Sequence, residues 1–348
     1  GTYALDANTT AANNVGIGHS SLTANTTGAN NVAVGSNVLD ANTTASGNTG
    51  VGYLALSANT TAADNTAVGY NALLTVATGA NNTAVGVSAL KLNTAAGNTA
   101  VGRGSLLNNS TGDNNVGLGY DALNDNTTGA ENVAVGAYAL AANTTATYNT
   151  AVGFSALNAN TGGQNTSVGW SSMLTNSTGA DNTAVGVNAL YSNTTASHNH
   201  AFGRNALYAN TTGTRNIAIG AYTLDATTTT HYNTAIGYNT LTASTGTGNT
   251  AIGDSAMQGN TTASYNVALG FEALKANTTA TYNVAIGTQA MDANTTGANN
   301  VAVGYASLGA NTTADNNTAL GHQTLNVNTT GTANIAVGTY ALDANTTG

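Results

Sequence analysis

The histidine pair His198 and His200 has the spacing most suited to chemistry in this chain. Residues two apart on a β-strand point to the same face, so a strand here would bring the two imidazoles side by side. Imidazole nitrogen is a common metal ligand. The pair is therefore the candidate metal site, and the alternative is that both histidines lie on the surface beside Asn199.

Other candidate chemistry is dispersed. The Gly-x-Gly stretches at 16–18 and 102–104 are the nearest to phosphate-binding loops, but neither opens a helix or is followed by Gly-Lys-Ser/Thr. Asp64, Asp181 and Asp315 lack the Gly-Gly-x-Gly-x-Asp spacing of calcium-binding rolls. Because catalysis needs several different groups in one place, we expect no catalytic residue, no cofactor and no enzyme activity.

Aromatic side chains are the most conspicuous remaining group. The chain has 15 Tyr, and many follow directly after a glycine that ends a short apolar run. Amphipathic rings on a surface suit contact with glycans or proteins, and the alternative is that they only shield the backbone. The candidate contact residues are Tyr53, Tyr70, Tyr120, Trp170, Tyr238 and Tyr305.

Composition limits the class of partner. Five Lys and Arg against 14 Asp and Glu give a formal net charge of −9, and the cations are scattered along the sequence. Nucleic acid binding relies on clustered cations, so we do not expect it. No apolar run approaches the roughly 18 residues of a membrane span, so we expect no membrane insertion. Without cysteine there is no disulfide framework or thiolate metal site.

A glycine ends a short apolar run once every 17 residues, with three intervals of 16. Such periods are typical of solenoids, in which each repeat is one coil. We call these residues the corner glycines, and they are Gly18, Gly35, Gly52, Gly69, Gly86, Gly102, Gly119, Gly136, Gly153, Gly169, Gly186, Gly203, Gly220, Gly237, Gly253, Gly270, Gly287, Gly304, Gly321 and Gly338.

Two asparagine series accompany the corner glycines. The strand-entry asparagines stand four residues before every corner glycine, and the loop asparagines stand seven residues after it. The loop series is broken only at Val76, Thr227 and Ser244. The strand-entry series begins with Asn14, Asn31, Asn48, Asn65, Asn82, Asn98, Asn115 and Asn132.

The repeat predicts an all-β fold, a parallel β-solenoid or β-roll of about 20 coils with a 16–17-residue period. We expect two strands per repeat, 65–68 and 70–73, with Val68 and Leu73 inside the coil and Ala67 facing a partner. Stacked coils about 4.8 Å apart would form a shaft on the order of 100 Å long. They would also turn both asparagine series into hydrogen-bonded ladders.

One continuous repeat region over 1–348 is expected. Solenoids usually carry atypical polar caps, and both ends of this sequence keep the repeat pattern, so we expect an excerpt of a longer chain. A lone thin coil buries few large side chains, which favours association with further copies.

The residues Asn-Thr-Ala-Val-Gly-x-x-Ala-Leu resemble the head repeats of YadA-type trimeric autotransporter adhesins, and still more the repeat tracts of phage and bacterial tail-fibre proteins. The resemblance covers the whole chain, with a longer polar connection. It implies a left-handed coil, a side-by-side homotrimer and an extracellular location on a virion or cell surface. Similar tail-fibre tips hold a metal on histidines around the trimer axis, which is what the resemblance implies for His198 and His200.

The favoured function is a non-enzymatic structural and adhesive fibre segment that contacts a host-surface glycan or protein. A self-assembling extracellular filament or matrix protein is the alternative. An ice-binding solenoid is a third, although adjacent threonines such as Thr9 and Thr10 would point in opposite directions on a strand. The Asn-Thr-Thr runs also have the form of N-glycosylation acceptors, but turn chemistry explains them equally. Pectate-lyase-type enzymes have larger coils and irregular loops, which this sequence lacks.

Overall fold

A three-residue strand opens each repeat, directly after the strand-entry asparagine. Small and β-branched residues such as Thr66, Ala67 and Val68 favour a strand, and the corner glycine ends the run before a helix could form. The computed structural model describes residues 1–348 and contains twenty of these strands and no helix. No segment is therefore a helix of the length and apolarity that spanning a membrane requires.

The chain divides into two compact units, Gly1–Thr178 and Gly179–Gly348. The strands of the first unit, β1 to β10, are Val15–Ile17, Val32–Val34, Thr49–Val51, Thr66–Val68, Thr83–Val85, Thr99–Val101, Val116–Leu118, Val133–Val135, Thr150–Val152 and Thr166–Val168. The strands of the second unit, β11 to β20, are Thr183–Val185, His200–Phe202, Ile217–Ile219, Thr234–Ile236, Thr250–Ile252, Val267–Leu269, Val284–Ile286, Val301–Val303, Thr318–Leu320 and Ile335–Val337. That both units form one continuous repeat region stays a prediction.

Within each unit every strand is parallel to the strand of the next repeat and in register with it. Ala67 of β4 pairs with Ala84 of β5, which pairs in turn with Ala100 of β6. The interval from β5 to β6 is one of the shortened ones, yet the register is unchanged. The predicted parallel β-solenoid with a 16–17-residue repeat is confirmed, and the length variation falls in the loops.

The corner glycines have a backbone conformation that other residues rarely adopt. Gly69 has φ of 138°, and across all repeats the value lies between 123° and 141°. A Cβ on Gly69 would lie 2.4 Å from the carbonyl oxygen of Gly86 in the next repeat. Both the φ angle and the close stacking therefore require glycine at this corner.

The segment after the corner is a turn, so the predicted second strand over 70–73 was wrong. Asn71 and Leu73 have φ of 56° and 50°, in the left-handed region. An extended strand would send Ala72 and Leu73 to opposite faces, whereas this turn buries both of them completely. Burial of the leucine offsets the roughly 1–2 kcal/mol that a left-handed residue costs.

The interior is narrower than the sequence suggested. Ala67 and Leu73 are fully buried, but Val68 is 37% exposed, so the prediction that Val68 fills the coil and Ala67 faces outward was wrong. Strand alternation allows only one of the two to point inward, and the inward position holds only a small residue, Ala, Gly or Ser, in every repeat. At Gly50, which takes the place of Ala67 in its repeat, even a Cβ would lie 2.5 Å from Val38.

Candidate functional site

The strand-entry asparagines form a ladder that fixes each strand to the next repeat. Asn115 is fully buried; its Oδ1 accepts the backbone N–H of Asn132 at 2.9 Å, and its Nδ2 donates to the carbonyl of Gly129 at 2.8 Å. The predicted ladder is confirmed, with the side-chain oxygen accepting from backbone. The same two kinds of bond are made by Asn14, Asn31, Asn48, Asn65, Asn82, Asn98 and Asn132.

The loop asparagines form a second ladder from side chain to side chain. Asn126 Nδ2 donates to Oδ1 of Asn109 at 2.7 Å and also to the carbonyl of Gly129 at 2.8 Å. That carbonyl is the one bonded by Asn115. The two ladders therefore meet at one backbone oxygen in the repeat and tie the polar loop to the start of the strand.

Burial of the loop asparagines bears on glycosylation of the Asn-Thr-Thr and similar loop runs. Asn42, Asn109 and Asn126 each open an Asn-x-Ser/Thr run and are fully buried, with Nδ2 engaged in the ladder. A glycan on these nitrogens is incompatible with the fold. Turn and ladder chemistry therefore accounts for these runs.

Adjacent loop threonines both reach the surface. Thr26 and Thr27 are exposed, whereas opposite directions were expected for such pairs. That expectation was wrong because the loop is not an extended strand. The first threonine is also engaged, since Thr26 Oγ1 donates to the carbonyl of Thr43 in the next repeat at 3.0 Å.

An apolar column runs along the outer face of the sheet in each unit. It consists of the residue directly before each corner glycine, and Val68, Val85 and Val101 are 37%, 37% and 40% exposed. In the first unit the apolar column is Ile17, Val34, Val51, Val68, Val85, Val101, Leu118, Val135, Val152 and Val168. In the second it is Val185, Phe202, Ile219, Ile236, Ile252, Leu269, Ile286, Val303, Leu320 and Val337.

The predicted aromatic contact residues all lie at the surface, directly past the corner glycines. These are Tyr53, Tyr70, Tyr120, Trp170, Tyr238 and Tyr305. They do not stand alone, because rings of neighbouring repeats contact one another. Tyr53 and Tyr70 are stacked with ring centroids 5.7 Å apart.

Four rings in the first unit form an uninterrupted run, which we call the aromatic strip. Centroid distances are 5.3 Å from Tyr120 to Tyr138, 5.9 Å from Tyr138 to Phe154 and 6.4 Å from Phe154 to Trp170. Tyr138 was missed from the sequence because it stands two residues after its corner glycine, not one. Desolvation, then the neighbouring Tyr120 and Asp121, raises the pKa of the Tyr138 phenol.

Next to the aromatic strip the structure forms a small cavity, which we call the cationic notch. Its volume is about 200 Å³, and Lys91, Arg103, Gly104 and Asp121 are among its lining residues. Lys91 and Arg103 are 12 positions apart in the sequence, so reading the cations as scattered missed this cluster. The signal that could have found it is a glycine two residues after a corner glycine, where other repeats carry a side chain.

The histidine pair is not on one strand. His198 has φ of 61° in the turn before Asn199, and His200 is the first residue of β12. His198 Nδ1 lies 3.9 Å from Oδ2 of Asp181. No group of three or more His, Asp or Glu side chains in the chain could hold a metal ion. The shared-strand premise was wrong, and metal binding between copies stays a prediction.

No model of a known protein family matches the chain, and no curated protein matches it. The resemblance of the repeat to adhesin heads and tail-fibre tracts therefore stays a prediction from the residues themselves.

Proposed function

We propose that this chain is a non-enzymatic structural and adhesive segment of an extracellular fibre, in a phage tail fibre or a bacterial surface adhesin. In this proposal it assembles side by side as a homotrimer of left-handed coils and presents a repeated surface for attachment. The observation that carries the proposal is the apolar column, in which all twenty positions are Val, Ile, Leu or Phe.

The apolar column exposes apolar side chains in every repeat of a unit. Its side chains lie in register on successive strands, as Val51, Val68 and Val85 do, so the exposed parts join into one continuous stripe. Soluble monomers rarely expose contiguous apolar patches of more than a few hundred Å². A partner that covers this face would remove the stripe from water.

A second copy of the chain is the partner whose spacing fits. Every copy carries the same column with the same repeat of about 4.8 Å, so two columns match over the full length of a unit. An unrelated protein would need the same periodicity. Three copies and the left-handed coil come from the resemblance to adhesin and tail-fibre repeats. The exposed rings stand past the corner glycines and would serve as the contact surface for a glycan or protein.

Sedimentation of the purified chain tests this proposal. We expect the mass of three copies in analytical ultracentrifugation. A variant with Val68→Glu, Val85→Glu and Val101→Glu places three like charges on the apolar column and should sediment as a monomer. The matched control is Thr44→Glu, Thr61→Glu and Thr78→Glu, which adds the same charge at exposed loop positions and should leave the trimer intact.

A wild-type chain that sediments as one copy would overturn the proposal. Equal dissociation of the loop variant would show that added charge alone separates the chains, and would also count against the apolar column as the interface. Circular dichroism of each variant checks that the β-structure persists.

The ice-binding alternative has one observation in its favour. The second threonine of many loops is exposed in successive repeats, as at Thr44, Thr61 and Thr78. Thermal hysteresis in dilute solution would support it, and its absence would remove it. The filament alternative differs in whether ends associate, which electron microscopy at rising concentration would reveal.

A further inference from the structure

The cationic notch is the one place in the first unit where positive charge collects. Lys91 and Arg103 are the only Lys or Arg residues among positions 1–178, and both line this cavity. Neither forms an ion pair, because the ion pairs of the chain involve His198 and Lys275. Two unpaired cations in one concave site suit an anionic group, above all a carboxylate that Arg can bind through two parallel hydrogen bonds.

Gly104 creates the space for this site. It stands two residues after its corner glycine with φ of 66°, at a position where other repeats carry a side chain. The carboxylate of Asp121 lies over it, since a Cβ on Gly104 would be 2.1 Å from Asp121 Oδ1. Asn124 Nδ2 donates to that oxygen at 3.2 Å. The notch therefore offers two cationic donors and one carboxylate acceptor around a small cavity.

Arg103 joins the notch to the aromatic strip. Its Nη1 donates to the phenol oxygen of Tyr120 at 2.7 Å, and its guanidinium carbon lies 5.4 Å from the centre of that ring. From Tyr120 the rings continue through Tyr138 and Phe154 to Trp170, which is 52% exposed. Four rings on successive repeats span about 14 Å at the spacing of stacked strands. A charged cavity thus opens onto a long, narrow aromatic surface.

An extended peptide has no backbone partners on this surface. The Tyr138 N–H donates to the carbonyl of Tyr120 at 2.9 Å, and the Asp121 N–H donates to the carbonyl of Arg103 at 3.0 Å. Strand addition needs unpaired backbone groups, and here the stacking of repeats consumes them. A chain of sugar rings needs none, because it presents apolar C–H faces to the aromatic rings and hydroxyls to their polar edges.

We propose that the cationic notch and the aromatic strip form a binding site for an acidic oligosaccharide, with a sugar carboxylate at Lys91 and Arg103. The following sugars lie along the rings toward Trp170, and Asp121 accepts from a sugar hydroxyl. This inference rests on the proposed attachment function and names the class of surface that the segment recognises.

The single tryptophan of the chain reports on the site. Trp170 is the only Trp and ends the aromatic strip, so its fluorescence should change as a ligand covers the rings. The probe is hexagalacturonate, a carboxylated hexasaccharide, titrated into the full chain. We expect saturable binding, and at least tenfold weaker binding of the carboxyl-reduced neutral hexasaccharide, as loss of charge-assisted hydrogen bonds predicts.

Variants of the notch separate this site from general surface binding. Lys91→Gln with Arg103→Gln should weaken hexagalacturonate binding tenfold or more. Gly104→Asn should do the same by filling the cavity, and Asn tolerates the left-handed φ. The matched control is Arg204→Gln, because Arg204 also follows a corner glycine and lies over a tyrosine, Tyr222, at 5.8 Å. It should bind like wild type.

Four outcomes would overturn the proposal: no saturable fluorescence change, equal binding of the neutral hexasaccharide, undiminished binding by the notch variants, or equal binding of hexaglutamate. Sedimentation of the same samples keeps the two proposals apart. A trimer that does not bind the probe counts against this site alone, whereas a monomeric wild-type chain counts against the fibre assembly.

Discussion

The strand-entry asparagines run through all twenty repeats, whereas the loop asparagines give way to Val76, Thr227 and Ser244. Both series are buried except at the two ends of the chain, and in the repeat of Asn115 and Asn126 both use Nδ2 to reach the Gly129 carbonyl. They differ in what their oxygen accepts. A strand-entry Oδ1 takes a backbone N–H of the next repeat. A loop Oδ1 takes a side chain of the next repeat or, as at Asn59 and Asn93, a backbone N–H of its own loop.

That difference explains which series tolerates substitution. A backbone N–H cannot be removed by mutation or turned elsewhere, so its acceptor must be supplied in every repeat. A side-chain donor, in contrast, can itself be replaced by mutation, so the loop oxygen that accepts from it is not needed in every repeat. Several loop oxygens have no hydrogen-bond partner at all, namely Asn143, Asn210 and Asn260, and no strand-entry oxygen is in this state.

The repeat that contains Val76 demonstrates the tolerance. Its loop carbonyl, Gly79, accepts from the strand-entry residue Asn65 at 3.1 Å. In place of the missing loop amide, Asn82 of the following repeat donates to the same oxygen at 3.2 Å. The strand-entry series therefore supplies the bond that the loop series has lost.

The largest effect is expected from a matched pair of valine substitutions in one repeat. Asn115→Val removes the acceptor of the buried Asn132 N–H and should cost about 2–3 kcal/mol of unfolding free energy. Asn126→Val copies the natural Val76 and leaves every backbone N–H bonded, so it should cost about 1 kcal/mol or less. Chemical denaturation at one fixed protein concentration measures both.

The second valine is the control for the first, because both variants bury the same side chain and both deprive the Gly129 carbonyl of one donor. Equal destabilisation would show that the identity of the acceptor does not matter. The distinction between the two series would then have no energetic basis.

The spacing of the repeat was enough to predict the solenoid, the corner glycines and the stacked asparagines. Each of these features depends only on residues one repeat apart lying next to each other in successive coils. It failed at Leu73, which was placed on a second strand. A leucine with φ of 50° contradicts its own backbone preference, and only the shape of the neighbouring repeats imposes it. Val68 was misplaced for a similar reason, since the width of the interior is a property of the whole coil.

The candidate site shows the same limit. The exposure of Tyr120 and Trp170 could be predicted from their position after a corner glycine. The meeting of Lys91 and Arg103 could not, because their separation of 12 residues differs from the 16–17-residue repeat, so they are not equivalent positions of successive coils. They line one cavity because the segment after each corner glycine is a turn, and this segment had been predicted to be a strand.

A smaller, stabilising effect is expected where the loop series is interrupted in the second unit. Thr227→Asn would place an amide beside Asn210 Oδ1, which is buried without a partner, and restore the ladder. Satisfying a buried acceptor should raise the unfolding free energy by about 1 kcal/mol. Thr227→Val is the control, since it loses the Thr227 bond to the Leu224 carbonyl and adds no donor. Should Thr227→Asn be no more stable than Thr227→Val, the loop ladder would contribute nothing measurable.

The smallest effect is expected from Asp225, whose carboxyl lies in the same repeat as Thr227. Its substitution separates the cost of the interrupted ladder from the electrostatic cost of a partly buried charge. Burial raises the pKa of the Asp225 carboxyl, so the stability it contributes is present below its unfolded pKa of about 3.9 and lost as pH rises through the folded value. Asp225→Asn should therefore stabilise the chain at pH 7, by less than about 1 kcal/mol for a partly solvated group, and leave it unchanged at pH 3. Glu272→Gln should behave in the opposite way, because hydrogen bonds from Lys275 and Gln289 lower the pKa of Glu272. Its loss should destabilise at pH 7, and the difference should fade as pH falls through the folded pKa. Equal stabilisation by Asp225→Asn at pH 7 and pH 3 would show that the added amide, and not the loss of the charge, is the cause. The buried carboxylate would then not destabilise this repeat, and only the interruption at Thr227 would.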